Sequence, residues 1–207
     1  MQTQRLHPNR GINGLLAGIT AHNLGVLHVL ALQDEQAMPL FQEATDRKRH
    51  AFGHDHPEVA VSLDEIGIQY FAREQFAESL QAFEEARRIR SLDRQGNNNN
   101  NNNINHDSSS GGGGGGGCLP GDCSKMAMVL NNIACCHFQM GHHDEALRTL
   151  QEARDILNVS TGTCTVADLD LLHVAITNCN FAYLLLRNKK YEEARAIFEE
   201  ALLVRYM

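Results

Sequence analysis

The fold is decided by a pattern that is clearest in residues 130–153, LNNIACCHFQMGHHDEALRTLQEA, and that returns in residues 63–86, LDEIGIQYFAREQFAESLQAFEEA. Residues 21–44 and 178–201 align with both stretches without a gap. In each copy a bulky apolar residue precedes a small one, another small residue follows twelve positions later, and a large apolar residue follows four positions after that. The small, small and large residues are Gly25, Ala37 and Phe41; Gly67, Ser79 and Phe83; Ala134, Ala146 and Leu150; and Ala182, Ala194 and Phe198. Such self-similarity indicates an internal repeat.

The spacing within each copy is typical of two helices joined by a short break. Leu63, Ile66 and Tyr70 recur every three or four residues and therefore share one face of a helix. Ser79 and Phe83 belong to a second apolar stripe. The break between the stripes is short, so the two helices are expected to be antiparallel neighbours. Because neither helix can bury its stripe alone, the copies should stack into an all-α solenoid.

The pattern resembles the tetratricopeptide repeat (TPR) family, through Leu24, Gly25, Ala37, Phe41 and Ala44 and their counterparts in the other copies. The resemblance implies a right-handed superhelix of about four helix-turn-helix repeats. Two features depart from the family pattern: no tryptophan begins each first helix, and no proline closes each second helix. The positions without tryptophan are Ala21, Leu63, Leu130 and Asn178.

The intervals between copies refine the resemblance. Gly25 and Gly67 are 42 residues apart, Gly67 and Ala134 are 67 apart, and Ala134 and Ala182 are 48 apart. The basic family period is about 34 residues. The 42-residue interval, with GHDHPEVA at residues 53–60 leading into the next helix, resembles the kinesin light chain type of repeat.

The longest interval contains a low-complexity insert, with asparagine at every position from 97 to 103 and glycine at every position from 111 to 117. Such tracts are flexible, and an insertion between repeats costs little. We therefore predict a partly disordered N-terminal segment at 1–16, repeats one and two at 17–94, a disordered inter-repeat insert at 95–123, and repeats three and four at 124–207.

Composition and motifs argue against several classes of function. The net charge of −7 argues against nucleic acid, which requires a basic face, and no apolar run is long enough to span a membrane. The six cysteines are irregularly spaced, so we expect reduced thiols and a cytoplasmic location. The Cys118–Cys123 spacing is not that of a zinc site, and the glycine run follows no strand. We therefore expect no enzyme activity, no cofactor and no metal.

The resemblance implies that the first helix of each repeat lines a concave groove that binds peptides. Asn23, Asn132 and Asn180 occupy one slot of this face in three copies, and Glu65 occupies it in the fourth. An amide donates and accepts together, so these side chains could pair with the backbone of an extended peptide. The alternative is that they bond the neighbouring repeat or water. The predicted groove residues are His22, Asn23, Val26, Asp64, Glu65, Ile68, Phe71, Asn131, Asn132, Cys135, Phe138, Asn180, Tyr183 and Arg187. The same stripes include Ile19, Val61, Met128, Ile176, Cys179 and Leu186.

The predicted groove is mostly apolar and contains no lysine. This argues against a cationic clamp for acidic peptide tails. We therefore predict a non-catalytic scaffold whose partner is a protein or peptide with apolar anchors and basic character. The alternative is a structural or self-associating fragment of a larger assembly, because the last helix runs toward Met207 without a polar capping helix and offers this C-terminal helix to another copy.

Overall fold

A computed structural model describes residues 8–101, 120–161 and 168–203. Eight helices account for this part of the chain, which contains no strand. Their bounds are Pro8–Leu30 for α1, Asp34–Phe52 for α2, Pro57–Ala72 for α3, Phe76–Asn101 for α4, Pro120–Gln139 for α5, His143–Thr161 for α6, Asp168–Arg187 for α7 and Tyr191–Leu203 for α8. The prediction of an all-α solenoid of helical hairpins is confirmed.

Each hairpin turns on one residue with positive φ, at the same position in all four repeats. These residues are Leu32 (56°), Glu74 (59°), Gly141 (82°) and Lys189 (61°). The residue after each of them donates its backbone N–H to the carbonyl five residues back, at 2.8 to 3.0 Å, which closes the first helix. The left-handed conformation is free of cost at glycine only, so the other three turns carry a cost of about 1 kcal/mol each.

Close approach of the paired helices depends on the small residues of the repeat. A Cβ atom on Gly25 would lie 2.7 Å from Cε1 of Phe41, and one on Gly67 would lie 2.6 Å from Cε1 of Phe83. Both phenyl rings are fully buried. In these two repeats, the small residue of the first helix therefore lies directly against the aromatic ring of the second.

The chain divides into two compact units, Met1–Asp93 and Arg94–Met207. In the first unit, α1 packs on α2 and α2 on α3, and Val59, Ile89 and their neighbours form the core between α3 and α4. In the second unit, α5 packs on both α6 and α7, and α7 on α8. Within the second unit, Leu130 and Leu157 anchor one cluster of buried side chains.

Helices cover part of the two segments that were predicted to be disordered. α1 already begins at Pro8, inside the predicted 1–16 segment. α4 continues to Asn101 and α5 begins at Pro120, so both ends of the predicted 95–123 insert are helical. A helix that has already formed is extended at little cost, because its nucleation is complete. Residues 102–119 lie outside the described residues, and their disorder stays a prediction.

Candidate functional site

First helices of adjacent repeats lie side by side within each unit, and this stacking positions the candidate site. In the first unit, Nδ1 of His22 on α1 lies 3.3 Å from Oγ of Ser62 on α3. In the second unit, Nδ2 of Asn131 on α5 donates to Oγ1 of Thr177 on α7 at 2.7 Å. In the repeat alignment His22 matches Asn131 and Ser62 matches Thr177. The same two positions therefore join the first helices in both units.

Asn131 belongs to this stacking contact rather than to an open face. Its side chain is only 7% exposed, donates to the backbone carbonyl of Ala127 at 3.0 Å as well as to Thr177, and accepts from Nδ2 of Asn180 at 3.1 Å. Asn131 is thus removed from the set of residues available to a ligand. For Asn180 the structure supports the alternative reading of the asparagine slot, in which the amide bonds the neighbouring repeat.

Asn132 differs from its neighbour in both exposure and bonding. It is half-buried, and its side chain makes no hydrogen bond in the described part of the chain. Asn23 is exposed on α1, and its side chain likewise makes no hydrogen bond in the described part of the chain. These two amides keep both donor and acceptor capacity for a ligand.

Exposed apolar side chains lie on α5, which carries Asn132, and on the neighbouring first helix α7. Met128 on α5 and Ile176 and Tyr183 on α7 are exposed. The Tyr183 ring meets the half-buried Phe138 ring edge-on, with centroids 5.8 Å apart. Cys135 is half-buried on this face, and burial, followed by the nearby Cys136, raises the pKa of its thiol. The face thus offers apolar contacts and an unreactive thiol.

In the first unit, the two adjacent acidic residues of α3 have different environments. Asp64 accepts hydrogen bonds from both terminal nitrogens of Arg90 on α4, one of them at 3.0 Å. Burial nevertheless raises the pKa of Asp64, against the lowering effect of Arg90. Glu65 has no ion-pair or hydrogen-bond partner in the described part of the chain. Its pKa is raised by burial and then by the charge of Asp64. Glu65 is the carboxylate available to a ligand.

The remaining predicted residues divide between core and surface. His22 and Val26 are half-buried in the first unit, where Val26 packs on the core around Phe41. Burial, and then Lys48, lowers the pKa of His22. Ile68 is exposed on α3.

Two predicted residues lie near the ends of their first helices. The Phe71 ring is half-buried and meets the Phe76 ring edge-on at 5.3 Å. Arg187, at the end of α7, is exposed. The structure therefore brings the predicted residues together in two groups, one in each unit.

One polar residue of α3 was not predicted. Gln69 is buried, yet its Oε1 has no hydrogen-bond partner. Leu27, Cys136 and Leu184 occupy the same position in the other repeats. An amide at a position that is otherwise apolar could therefore have indicated Gln69 from the sequence. Gln69 follows Glu65 by one helical turn on α3.

Three other kinds of feature are absent from the described residues. They contain no group of three or more His, Cys, Asp or Glu side chains placed to hold a metal ion. No disulfide joins the four cysteines whose side chains the structure describes, while Cys118 and Cys164 lie outside the described residues. None of the helices in the described ranges has the length and apolar character needed to cross a membrane.

Solved structures share this fold at low sequence identity. BtubC (BKLC) from P. vanneervenii matches with a TM-score of 0.70 and 13% identity, over 99% of this chain and 67% of that one. A Podosopora anserina protein with nearly identical kinesin light chain TPR-like repeats matches with a TM-score of 0.61 and 16% identity, over 98% and 78%. Aspartyl phosphate phosphatase F from Bacillus subtilis matches with a TM-score of 0.66 and 14% identity, and the match covers 95% of this chain but only 42% of the phosphatase chain.

Sequence comparison gives the family directly. By sequence, no curated protein matches the chain. Two family models, each described as Tetratricopeptide repeat, match residues 16–91 and residues 126–158 and 179–205. Together they cover most of both units. The fold is similar to that of kinesin light chain TPR-like repeats, and the chain belongs to the tetratricopeptide repeat family.

Proposed function

We propose that this protein is a non-catalytic scaffold that binds an extended peptide in the concave groove, along the exposed faces of its first helices. Tetratricopeptide repeats are in general modules for protein interaction. The observation that carries the proposal is the amide of Asn132 on α5, which has no hydrogen-bond partner in the described part of the chain. Met128 is exposed one helical turn earlier on α5, and Ile176 and Tyr183 are exposed on α7, which packs on α5. We name the set Met128, Asn132, Ile176 and Tyr183 the peptide face.

The chemistry of the peptide face favours main-chain recognition with apolar anchors. The Asn132 amide can donate to a carbonyl and accept from an N–H of one extended residue. Met128, Ile176 and Tyr183 are exposed, so peptide side chains that cover them would remove apolar surface from water. An adaptable methionine and a tyrosine are side chains that binding surfaces use often.

The first unit adds a preference for positive charge. Glu65 on α3 carries a carboxylate without a partner in the described part of the chain, and exposed Ile68 lies three residues further along the same helix. A lysine or arginine of the partner would supply the hydrogen bonds that Glu65 lacks. We therefore propose a partner with apolar anchors and at least one basic residue, bound with about micromolar affinity or about −8 kcal/mol.

The test is selection from a random peptide library followed by titration of one selected peptide. Asn132→Ala is expected to weaken binding about tenfold, or about 1.4 kcal/mol, because both hydrogen bonds of the amide to the peptide are lost. Gln151→Ala is the matched control, because Gln151 is an exposed amide on the second helix α6. Equal binding by Asn132→Ala and the original protein, with helicity unchanged, would refute the proposed site.

A second candidate is a structural fragment that associates with its own copies. Exposed Leu202 on the C-terminal helix α8 supports this candidate. Concentration-dependent mass that is lost in Leu202→Asp would favour association through α8.

We also propose a cytoplasmic location. The exposed thiol of Cys179 suits a reducing compartment and supports it.

A further inference from the structure

The repeat alignment shows which positions on a first helix are covered by its neighbours. On α3, Ser62 contacts His22 of the preceding first helix, and Gln69 lies two helical turns later on the same side. Both residues are buried, at 0% and 3% exposure. On α5, Asn131 contacts Thr177 of the following first helix, and Ser124 lies two helical turns earlier on the same side. Both are buried, at 7% and 4%. Stacking of one first helix on the next therefore has a defined pair of surfaces.

The equivalent positions are open on α1. The counterparts of Ser62 and Gln69 are Thr20 and Leu27. Thr20 is exposed, and Leu27 is 60% exposed. Leu16 and Leu24 lie on the same side of α1 and are also exposed. We call Leu16, Thr20, Leu24 and Leu27 the entry face.

The equivalent positions are also open on α7. The counterparts of Ser124 and Asn131 are Leu172 and Cys179. Leu172 is 53% exposed, and Cys179 is exposed as well. Leu186 lies seven residues, or about two helical turns, after Cys179 and is exposed. We call Leu172, Cys179 and Leu186 the exit face.

Charge and composition make the two faces suited to each other. Residues 11–33 and 171–186 contain no Asp, Glu, Lys or Arg. The two first helices between them are different, since α3 carries Asp64 and Glu65 and α5 carries Lys125. An exposed face without charge is unusual for a repeat that has no neighbour on that side, since such faces are normally polar. Both faces are apolar at their centre, so each can cover the other without an unpaired charge.

The internal contacts supply the register for such a pairing. Position for position, His22 meets Ser62 and Asn131 meets Thr177 within the chain. By the same rule, Cys179 of the exit face would meet Thr20 of an entry face.

Because the stacking contacts within the chain can continue in the same register between chains, we propose that the entry face of one copy stacks on the exit face of a second copy, head to tail. The contact is heterologous, so the dimer keeps one free face of each kind and can add further copies. It uses other residues than the peptide face, and the peptide-binding function can fail or hold independently of it.

A complementation experiment tests the proposal on the full chain. We expect the original protein to gain mass with concentration in sedimentation velocity, up to about 1 mM. Leu27→Asp places a charge in the apolar entry face, and Leu172→Asp places one in the exit face. Stacking would bury this charge without a partner, so each variant alone should remain monomeric. Both leucines are exposed, and circular dichroism checks that helicity is unchanged. An equimolar mixture should form dimers only, because each variant retains the face that the other lacks.

Cross-linking checks the register. Oxidation of the Thr20→Cys variant should yield an intermolecular disulfide that joins the introduced thiol to Cys179 of a second copy, and peptide mass mapping identifies it. Adding Cys179→Ser should remove it. A monomer at every concentration, association that persists in both aspartate variants, or a mixture that stays monomeric would each overturn the proposal. Peptide binding by the Leu27→Asp variant is measured as well. If binding is retained while association is lost, the two functions are shown to be separate.

Discussion

The contact of Gly67 with Phe83 provides a quantitative test of how the hairpins are held together. A Cβ atom on Gly67 would lie 2.6 Å from Cε1, 2.8 Å from Cδ1 and 2.8 Å from Cζ of the Phe83 ring. The ring is 1% exposed and has no free space to enter. Overpacking typically costs about 1–3 kcal/mol, and the upper part of this range, about 2–3 kcal/mol, is expected here because all three contacts are under 3.0 Å. Alanine regains about 1 kcal/mol of helix propensity over glycine. Gly67→Ala should therefore destabilise the protein by about 1–2 kcal/mol.

The third repeat shows which second change should relieve the strain. It carries Ala134 and Leu150 at the positions of Gly67 and Phe83, and both are buried in one cluster. Phe83→Leu alone should cost about 1–2 kcal/mol, because it leaves a cavity. The double variant should be no less stable than Phe83→Leu alone, since the new methyl group occupies part of the space that the ring vacates. The expected coupling free energy is about 1–2 kcal/mol.

Urea unfolding of the two single variants and the double variant measures this coupling. Gly14→Ala is the control, because Gly14 is also within a helix but a Cβ atom there meets nothing within 4 Å. It should stabilise the protein by about 0.5–1 kcal/mol. Additive effects of Gly67→Ala and Phe83→Leu would refute the reasoning, because they would show that the two side chains do not share one space.

Further predictions concern the stacking contact, pH and the turns. Asn131→Ala should cost about 1–3 kcal/mol in urea unfolding because it leaves the Thr177 contact unmade, whereas Asn132→Ala should change stability by less than about 0.5 kcal/mol; equal costs would contradict the structure. His22 has a lowered pKa when folded, so the unfolded chain binds its proton first. Stability should then fall as pH decreases through about 6.5, and His22→Asn should flatten this part of the pH profile. Glu74→Gly should raise the free energy of unfolding by about 0.5–1 kcal/mol, since φ at Glu74 is positive; a loss of stability would contradict the turn geometry.

The hairpins could be predicted from the sequence because their determinants are local. Gly25 and Phe41 are sixteen positions apart, and one short turn fixes how their helices meet. The recurrence of this spacing in four copies was enough to predict the fold class. The helical start of α1 at Pro8 was not predicted, because residues 8–16 lack the repeat pattern that was used to place its boundary.

The candidate site was harder to predict because it depends on rotation about the helix axis. Asn131 and Asn132 are adjacent and chemically identical, yet about 100° separates them on a helix. That rotation puts Asn131 against α7 and leaves Asn132 without a hydrogen-bond partner in the described part of the chain. Asp64 and Glu65 differ in the same way, since only Asp64 reaches Arg90. Sequence spacing predicts that a residue is on a first helix, but the neighbouring helix decides which of its sides is open.

Photo-cross-linking of a selected peptide tests the central claim, peptide binding by the first helices, most directly. Tyr183 on α7 and Tyr191 on α8 are both exposed tyrosines, but only Tyr183 belongs to the peptide face. With benzoylphenylalanine at position 183, irradiation should attach the peptide, and excess unlabelled peptide should prevent it. The same group at position 191 should attach little or none. Equal attachment at both positions, or attachment at 191 alone, would contradict the proposed site.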